Sequence, residues 1–292
     1  MELRHIRYFL ALVEERNFTR AAARVGIAQS PFSSQIRDLE TEVGARLFHR
    51  VPHGAELTSA GQAFLEVVGT MPSTAEKAAH AAQRAARGES GRLKVGYTAS
   101  SVFNPVFAAA VRAFRQAYPN VDLALQEANT TWLVEGLENE TLDAVFLRPG
   151  SRKTDAFQLR LLSEEPLLVA LPASHPAASS DHFDLAELGG EPLLLFPREA
   201  GPTLFDSAIN AFRAAGVEPE LGQSAPQIVS LLVLVSAGMG VSVVPASMSR
   251  LSIPGVVFRP LKGQSPTASL SLATRRGDTN VIVRNFLSCA LS

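Results

Sequence analysis

One segment near the start of the chain carries apolar residues at the spacing of a helix. They lie three, four and seven positions apart and so share one helical face: Phe32, Ile36, Leu39 and Val43. Pro31 suits a first helical turn, where its missing amide has no partner to lose, and Gly44 is typical of a helix end. The pattern therefore predicts a helix from about Gln29 to Gly44 with its apolar face in a core.

The opposite face of this predicted helix is polar. Short hydrogen-bonding side chains and one guanidinium occupy it: Gln29, Ser30, Ser33, Ser34 and Arg37. A shorter helix precedes it, beginning at Thr19, whose hydroxyl can cap the first amides, and stopping near Gly26. Two helices joined by a tight turn, the second with polar groups near its start, are typical of contact with base edges in the DNA major groove. A solvated face of an ordinary helical bundle is the alternative.

Local charge favours the DNA-binding interpretation. The whole chain of 292 residues has a formal net charge of −1, but residues 16 to 37 contain arginines and no acid: Arg16, Arg20, Arg24 and Arg37. Positive charge in one place is what a phosphate backbone requires. We therefore predict that Gln29 and Ser33 contact bases directly, with Ser30, Ser34 and Arg37 assisting.

A turn-rich tip follows the predicted helix. The sequence Val-Pro-His-Gly at 51–54 lies between two short extended segments and predicts a winged hairpin, with a merely solvated hairpin as the alternative. Arg50 and His53 at this tip, together with Arg20, are expected to hold phosphate or reach an adjacent minor groove. The predicted DNA-contacting residues are Thr19, Arg20, Gln29, Ser30, Pro31, Ser33, Ser34, Arg37, Arg50 and His53.

The next segment predicts a long helix that can pair with its twin in a second copy. Thr58 can cap it, and an alanine-rich stretch continues it to Arg87. Pro72 falls inside this stretch, and an interior proline costs about 3 kcal/mol unless the helix breaks or kinks. We expect a kink or a restart between Thr70 and Ser73.

After a hinge at 88–91 the pattern changes to alternating strands and helices. Strands are predicted at 93–97, 121–127, 142–147, 167–171, 193–196 and 241–244, and helices at 105–118, 131–138, 204–215 and 227–237. The alternation over residues 93–147 predicts a mostly parallel sheet with helices on both faces.

Several motifs, in order along the chain, resemble LysR-type transcriptional regulators. They are Met-Glu-Leu-Arg-His-Ile-Arg-Tyr-Phe at 1–9, Asn-Phe-Thr-Arg-Ala-Ala at 17–22, Ala-Gln-Ser-Pro-Phe-Ser-Ser-Gln-Ile-Arg-Asp-Leu-Glu at 28–40, Gly-Ala-Arg-Leu-Phe-His-Arg at 44–50, Leu-Thr-Ser-Ala-Gly at 57–61, Pro-Ala-Ser-His-Pro at 172–176 and Ala-Gly-Met-Gly-Val-Ser-Val-Val-Pro at 237–245. Within that family the chain looks closest to regulators of aromatic-acid catabolism.

The resemblance implies a fold and a domain order. An all-α winged helix-turn-helix domain at 1–58 is expected, followed by a linker and dimerisation helix at 59–87, the hinge, and an effector-binding domain at 92–292. That last domain would comprise two Rossmann-like α/β subdomains, periplasmic-binding-protein-like, at 92–162 with 267–292 and at 163–266. A homotetramer on promoter DNA is implied, and RNA polymerase is a candidate further partner.

Hydroxyl-bearing loops at predicted strand ends indicate an effector site, because ligands collect there and helix N-termini favour anions. Simple N-capping by these residues is the alternative. The resemblance to muconate-responsive regulators implies effector contacts at Ser100, Thr130, Pro202 and Thr203, with Leu204 where relatives have an aromatic residue. Arg148 is either a carboxylate clamp or a surface charge. The predicted effector-binding residues are Ser100, Ser101, Thr130, Arg148, Pro202, Thr203 and Leu204.

Other classes of protein fit less well. A cytoplasmic α/β enzyme acting on a small acid is the main alternative, but no phosphate-binding glycine loop or nucleophile elbow is found. The histidines lack the spacing of a helical metal site, Cys289 is the only cysteine, and neither metal nor cofactor is predicted. A solute-binding transport protein would be exported, and no signal segment or apolar run of about 20 residues is found, so a cytoplasmic protein is expected.

Overall fold

A computed structural model describes residues 1–52, 54–149, 156–188, 190–263 and 265–292. The chain divides into two compact units, Met1–Arg84 (unit 1) and Ala85–Ser292 (unit 2). Within the described ranges, no helix is both long and apolar enough to cross a membrane.

Unit 1 is mainly helical with one short hairpin. Its elements are α1 (Leu3–Glu15), α2 (Phe18–Arg24), α3 (Gln29–Val43), β1 (Phe48–Val51), β2 (Gly54–Leu57), α4 (Ser59–Val68) and the greater part of α5 (Met71–Ala86). The predicted bounds of α3 are confirmed, and Gly44 ends it in the left-handed conformation with φ 75°. Phe32, Ile36 and Leu39 are buried as expected, whereas Val43 is 38% exposed because it lies at the last turn.

The start of α2 differs from the prediction. Asn17, not Thr19, is the N-cap: its side-chain oxygen accepts hydrogen bonds from the amides of Thr19 and Arg20. Because the helix starts one residue earlier than predicted, at Phe18, Thr19 already lies inside it.

The predicted interruption of the long helix is confirmed. Thr58 caps α4 by accepting the Gly61 amide at 2.9 Å, α4 ends at Val68, and α5 restarts at Met71. Pro72 therefore sits in the first turn of α5, where its missing amide removes no intrahelical bond.

Unit 2 contains one seven-stranded sheet with helices packed on it. Its strands are β3 (Gly91–Tyr97), β4 (Val121–Glu127), β5 (Ala144–Leu147), β6 (Phe157–Pro172), β7 (Ser242–Pro245), β8 (Val256–Pro260) and β9 (Thr267–Arg275). Its helices are α6 (Pro105–Ala117), α7 (Thr130–Glu138), α8 (Pro202–Ala214), α9 (Ile228–Ser236) and α10 (Val281–Leu291). The strand order is β4-β3-β5-β9-β6-β7, and β8 also pairs with β6.

The parallel arrangement predicted for the first three strands is confirmed, because β3 pairs in parallel with β4 and with β5. The rest of the sheet pairs differently. β9 pairs antiparallel with β5 and with β6, and β6 also pairs antiparallel with β7 and with β8. The long β6 lies first beside β9 and then beside β7 and β8. This strand therefore joins the part of the sheet next to α6 and α10 to the part next to α8 and α9.

The predicted strand at 193–196 is wrong. Only Leu193 pairs there, in isolated bridges to Leu221 and Val241. The carbonyl of Leu194 accepts the Ser242 hydroxyl at 2.8 Å instead of a backbone amide, so the ladder does not continue. The segment is extended and buried without being a strand.

Candidate DNA interface and ligand pocket

Helix α3 exposes three of the five polar residues predicted for its outer face and half-buries the other two. Gln29, Ser30, Pro31 and Arg37 are exposed, and Ser33 and Ser34 are half-buried. The N-cap residue is Ala28, whose side chain cannot accept the amides of the first turn. Uncapped amides at an exposed helix start favour a phosphate oxygen.

Aromatic packing fixes the orientation of α3. Phe32 is fully buried, with its ring centroid 5.5 Å from that of Tyr8 on α1 and 6.2 Å from that of Phe18 on α2. On the same side of the helix, His5 Nε2 lies 3.1 Å from Gln35 Oε1. The packed side of α3 therefore contacts side chains of both preceding helices, and this fixes the direction in which the exposed face points.

The hairpin of β1 and β2, which we call the wing, is attached to the helices at two points. Glu40 of α3 accepts the amides of Leu47 and Phe48 at 2.8 and 3.1 Å. The carbonyl of Arg16 accepts the Ala55 amide at 2.9 Å. Gly54, with φ 155°, permits this approach, since a Cβ there would lie 1.9 Å from the Arg16 carbonyl oxygen.

The arginines of unit 1 differ in their partners. Arg20 and Arg24 form ion pairs with Glu15, and Arg24 also pairs with Glu14. These acids precede the arginine-rich segment, so the charge of that segment is partly offset by its neighbours in the fold. Arg37 Nε donates to the Ser33 carbonyl at 3.3 Å. Thr19 and Arg50 are exposed, and the prediction for His53 lies outside the described residues.

Unit 2 contains a pocket of about 240 Å³. Its wall comes from the ends of β3, β4 and β5 and from the segments that open α7, α8 and α9. The lining residues are Thr98, Ala99, Ser100, Glu127, Ala128, Asn129, Thr130, Arg148, Phe196, Ala200, Gly201, Thr203, Leu204, Pro226, Gln227 and Ile228.

Three helices have their N-termini at this pocket, and two of them lack a side-chain cap. The N-cap residues of α8 and α9 are Gly201 and Gln227, and neither side chain accepts a first-turn amide. At α7, by contrast, Asn129 accepts the Trp132 amide at 2.8 Å. The uncapped amides and helix dipoles of α8 and α9 suit an anion such as a carboxylate.

The structure brings most of the predicted effector residues together. Ser100, Thr130, Thr203 and Leu204 line the pocket, and so does Arg148. Ser101 does not, because it is fully buried and its hydroxyl donates to the Thr98 carbonyl at 2.7 Å. Pro202, the first residue of α8, is not among the lining residues either.

Arg148 is neither a free clamp nor a surface charge. It is 5% exposed, and Nη2 donates to Glu165 Oε1 at 2.7 Å while Nε donates to the Ser100 hydroxyl at 3.2 Å. Nη1 donates to the carbonyl of Ala268 at 3.3 Å. The guanidinium therefore holds the Ser100 loop against β6 and β9.

Glu165 is the buried partner of this arginine. Asn104 and the Ser247 amide also donate to its carboxylate, at 3.1 and 2.6 Å. Burial alone would raise the pKa of Glu165, but the hydrogen bond from Arg148 and the charge of that residue outweigh it and hold the pKa below its usual range.

Sequence reasoning missed several lining residues. Ile228 begins α9 and Gln227 is its N-cap residue. The start of this helix was predicted, and because anionic ligands collect at helix N-termini, it was a signal for a pocket wall. Thr98 directly follows β3, and its hydroxyl is buried without a hydrogen-bond partner among the described residues, which only the fold reveals.

Comparison with known proteins covers both units. A family model described as "Bacterial regulatory helix-turn-helix protein, lysR family" matches residues 3–62, and one described as "LysR substrate binding domain" matches residues 86–292. The HTH-type transcriptional regulator BudR of Raoultella terrigena is 37% identical over 98% of this chain and 99% of its own length. BenM of Acinetobacter baylyi, also an HTH-type transcriptional regulator, is 32% identical over 97% of this chain and 93% of its own.

Solved structures agree with these matches. The crystal structure of CbnR, a LysR family transcriptional regulator, has a TM-score of 0.87 and 30% identity, covering 99% of this chain and 100% of that one. Full-length CbnR in complex with its target DNA also has a TM-score of 0.87, with 29% identity over 99% of this chain and 98% of that one.

Proposed function

Because this chain belongs to the LysR family of bacterial transcriptional regulators, we propose that α3 and the wing bind a promoter site and that a small acid in the pocket controls the outcome. The chain is a DNA-binding regulator with an effector-binding domain and is not an enzyme. The observation that carries the proposal is the polar, uncapped start of α3 in unit 1.

Gln29 and Ser33 are proposed to contact base edges in the major groove. Their position near the start of α3 supports this, since Gln29 is exposed and Ser33 is half-buried, and Ser30, Ser34 and Arg37 lie beside them. We propose that a second set of residues fixes the position of the protein on the phosphate backbone: Thr19, Arg20, Pro31, Arg50 and His53.

The effector is proposed to be a small aromatic or dicarboxylic acid. The volume of about 240 Å³ suits a small molecule, and the uncapped starts of α8 and α9 suit a carboxylate. Thr203 would bind it beside α8, and Ser100 and Thr130 would bind its other end. Only a ligand that binds two arrangements of the effector domain with different affinity can shift the DNA-bound state.

Self-association is proposed through α4 and α5, with the homotetramer as the working assembly. Val67 on α4 is a large apolar side chain that is 67% exposed in the single chain, which supports a covered surface there. The regulator would act in the cytoplasm, where promoter DNA and RNA polymerase are found.

The DNA proposal is tested by fluorescence anisotropy at physiological salt. The full chain is titrated onto DNA from immediately upstream of its own gene and onto a scrambled fragment of equal length. Tighter binding to the upstream fragment supports site recognition by α3. Equal, weak binding to both contradicts a site at that position.

The pocket proposal is tested with benzoate and cis,cis-muconate as probes. Saturable binding is followed by Trp132 fluorescence, since Trp132 is the only tryptophan and lies on α7 beside the pocket-lining Thr130. Thr130→Val and Thr203→Val should weaken binding, and Thr279→Val, at an exposed position that does not line the pocket, should not. Affinity that is unchanged in both pocket variants, or no binding of either acid, contradicts the assignment of this pocket as the effector site.

A further inference from the structure

The guanidinium of Arg50, in the wing, lies over an aromatic ring. Its Cζ lies 5.2 Å from the centroid of the Phe18 ring, within the range of a cation–π contact. Among the described residues Arg50 has no carboxylate partner, in contrast to Arg20 and Arg24, which pair with Glu15. The guanidinium is therefore held by a ring face and not by an acid.

This kind of contact leaves the hydrogen-bonding edge of the guanidinium free. A ring attracts the flat face of the cation, while the N–H donors lie in the guanidinium plane and match a phosphate in a forked geometry. An acid at the same place would use those donors and cancel the charge. Arg50 is thus exposed, charged and partly immobilised at once.

Both sides of the contact are fixed by the fold. Phe18 is the first residue of α2, and its ring packs edge-to-face at 80° on Phe32 of α3. Arg50 pairs with Ala55 in the wing, and the Ala55 amide donates to the carbonyl of Arg16, two residues before α2. The position of the guanidinium is therefore set relative to α3.

We infer that Phe18 is a positioning residue for DNA binding, which orients the Arg50 guanidinium toward a phosphate beside the wing. This inference rests on the proposed phosphate contact of Arg50. Phe18 itself touches no DNA in this arrangement and acts only through the arginine.

The test is a double-mutant cycle on the full chain, read as DNA affinity against salt concentration. Arg50→Ala should lower affinity for specific and scrambled DNA alike and reduce the slope of log affinity against log salt by about one. Phe18→Leu should lower affinity about two- to fivefold, the range expected for an exposed cation–π contact. In the Arg50→Ala background, Phe18→Leu should have no further effect.

Two further variants separate positioning from structure. Phe18→Tyr keeps the ring and should bind as the wild type does, and Phe18→Met gives a second ringless protein if the leucine variant does not fold. Arg24→Ala is the matched control, an exposed arginine already neutralised by Glu14 and Glu15, and Phe18→Leu should retain its full effect in that background.

The outcomes distinguish the two proposals. If Arg50→Ala leaves the salt slope unchanged, the phosphate contact of the wing is wrong, and this inference fails with it. If Arg50→Ala reduces the slope but the effects of Phe18→Leu and Arg50→Ala multiply independently, the phosphate contact stands and the positioning role of Phe18 is overturned.

Discussion

At the scale of single residues, Asn17 closes the start of α2 by accepting two backbone amides. Asn17→Ala leaves both donors uncapped, so we expect the free energy of unfolding of unit 1 to fall by about 1 kcal/mol. Thr19→Ala, inside the helix, should change it by less than about 0.5 kcal/mol. Urea unfolding followed by circular dichroism measures both changes in free energy. Because Trp132 lies in unit 2, the transition that leaves Trp132 fluorescence unchanged is the one that reports on unit 1. Equal losses would contradict Asn17 as the cap.

Gln29 belongs to the same scale, because one amide side chain can discriminate one base pair. Gln29→Ala should weaken binding to the specific site by about 1 to 3 kcal/mol and change binding to scrambled DNA little. Gln116→Ala, an exposed glutamine on α6 of unit 2, serves as the control. Anisotropy titrations on the two DNA fragments measure the difference, and an equal loss on both would refute a base contact.

At the scale of elements, β6 carries the buried Glu165. Its pKa is held below the usual carboxyl range, so its contribution to stability is complete above the unfolded-state pKa and is lost as pH falls through the folded-state pKa. We expect the free energy of unfolding of unit 2, followed by Trp132 fluorescence, to fall as pH drops below about 5.

Glu165→Gln removes this titration and isolates the contribution of the carboxylate. It should be less stable than the wild type at neutral pH by about 3 kcal/mol, because Arg148 keeps a buried charge without a partner. Its loss of stability on acidification should be smaller. Glu164→Gln, at the exposed neighbouring position, should keep the wild-type pH profile. An unchanged profile in Glu165→Gln would show that other carboxylates carry the effect.

Elements with a local signal were predictable from the sequence, and those that depend on distant partners were not. The bounds of α3 and β4 follow from the spacing of apolar residues and from flanking glycine and proline. The first half of β6 is rich in polar residues, and it becomes a strand only by pairing with β9, more than 100 positions along the chain. The pairing itself leaves no local signal, although Phe157, Leu159 and Leu161 alternate with polar residues in a strand-like pattern that was not used for a prediction.

The site follows the same rule. The loops that carry Ser100 and Thr130 were predicted because hydroxyl residues after strands are a local signal, and the resemblance to muconate-responsive regulators singled out these two residues. Their proximity in one pocket depends on β3 and β4 lying side by side. The ion pair of Arg148 with Glu165 crosses from β5 to β6 and was not predicted. The Phe18–Arg50 contact likewise depends on how the wing folds back.

At the scale of the whole molecule, self-association is the property to test. Val67→Glu puts a charge on the exposed apolar position of α4, and we expect the assembly to dissociate to smaller species because a buried unpaired carboxylate is costly. Light scattering coupled to size exclusion measures the mass. Gln62→Glu adds the same charge elsewhere on α4 and should leave the mass unchanged. An intact assembly in Val67→Glu would place the interface away from this position.

The position of β9 in the sheet also sets an order of events during synthesis. It lies between β5 and β6, although residues 267–275 leave the ribosome after the other six strands of this sheet. Unit 1 is built from consecutive segments and can fold while translation continues. The centre of the large sheet has to wait for the final strand, so each nascent chain would acquire its DNA-binding surface before it can sense a ligand.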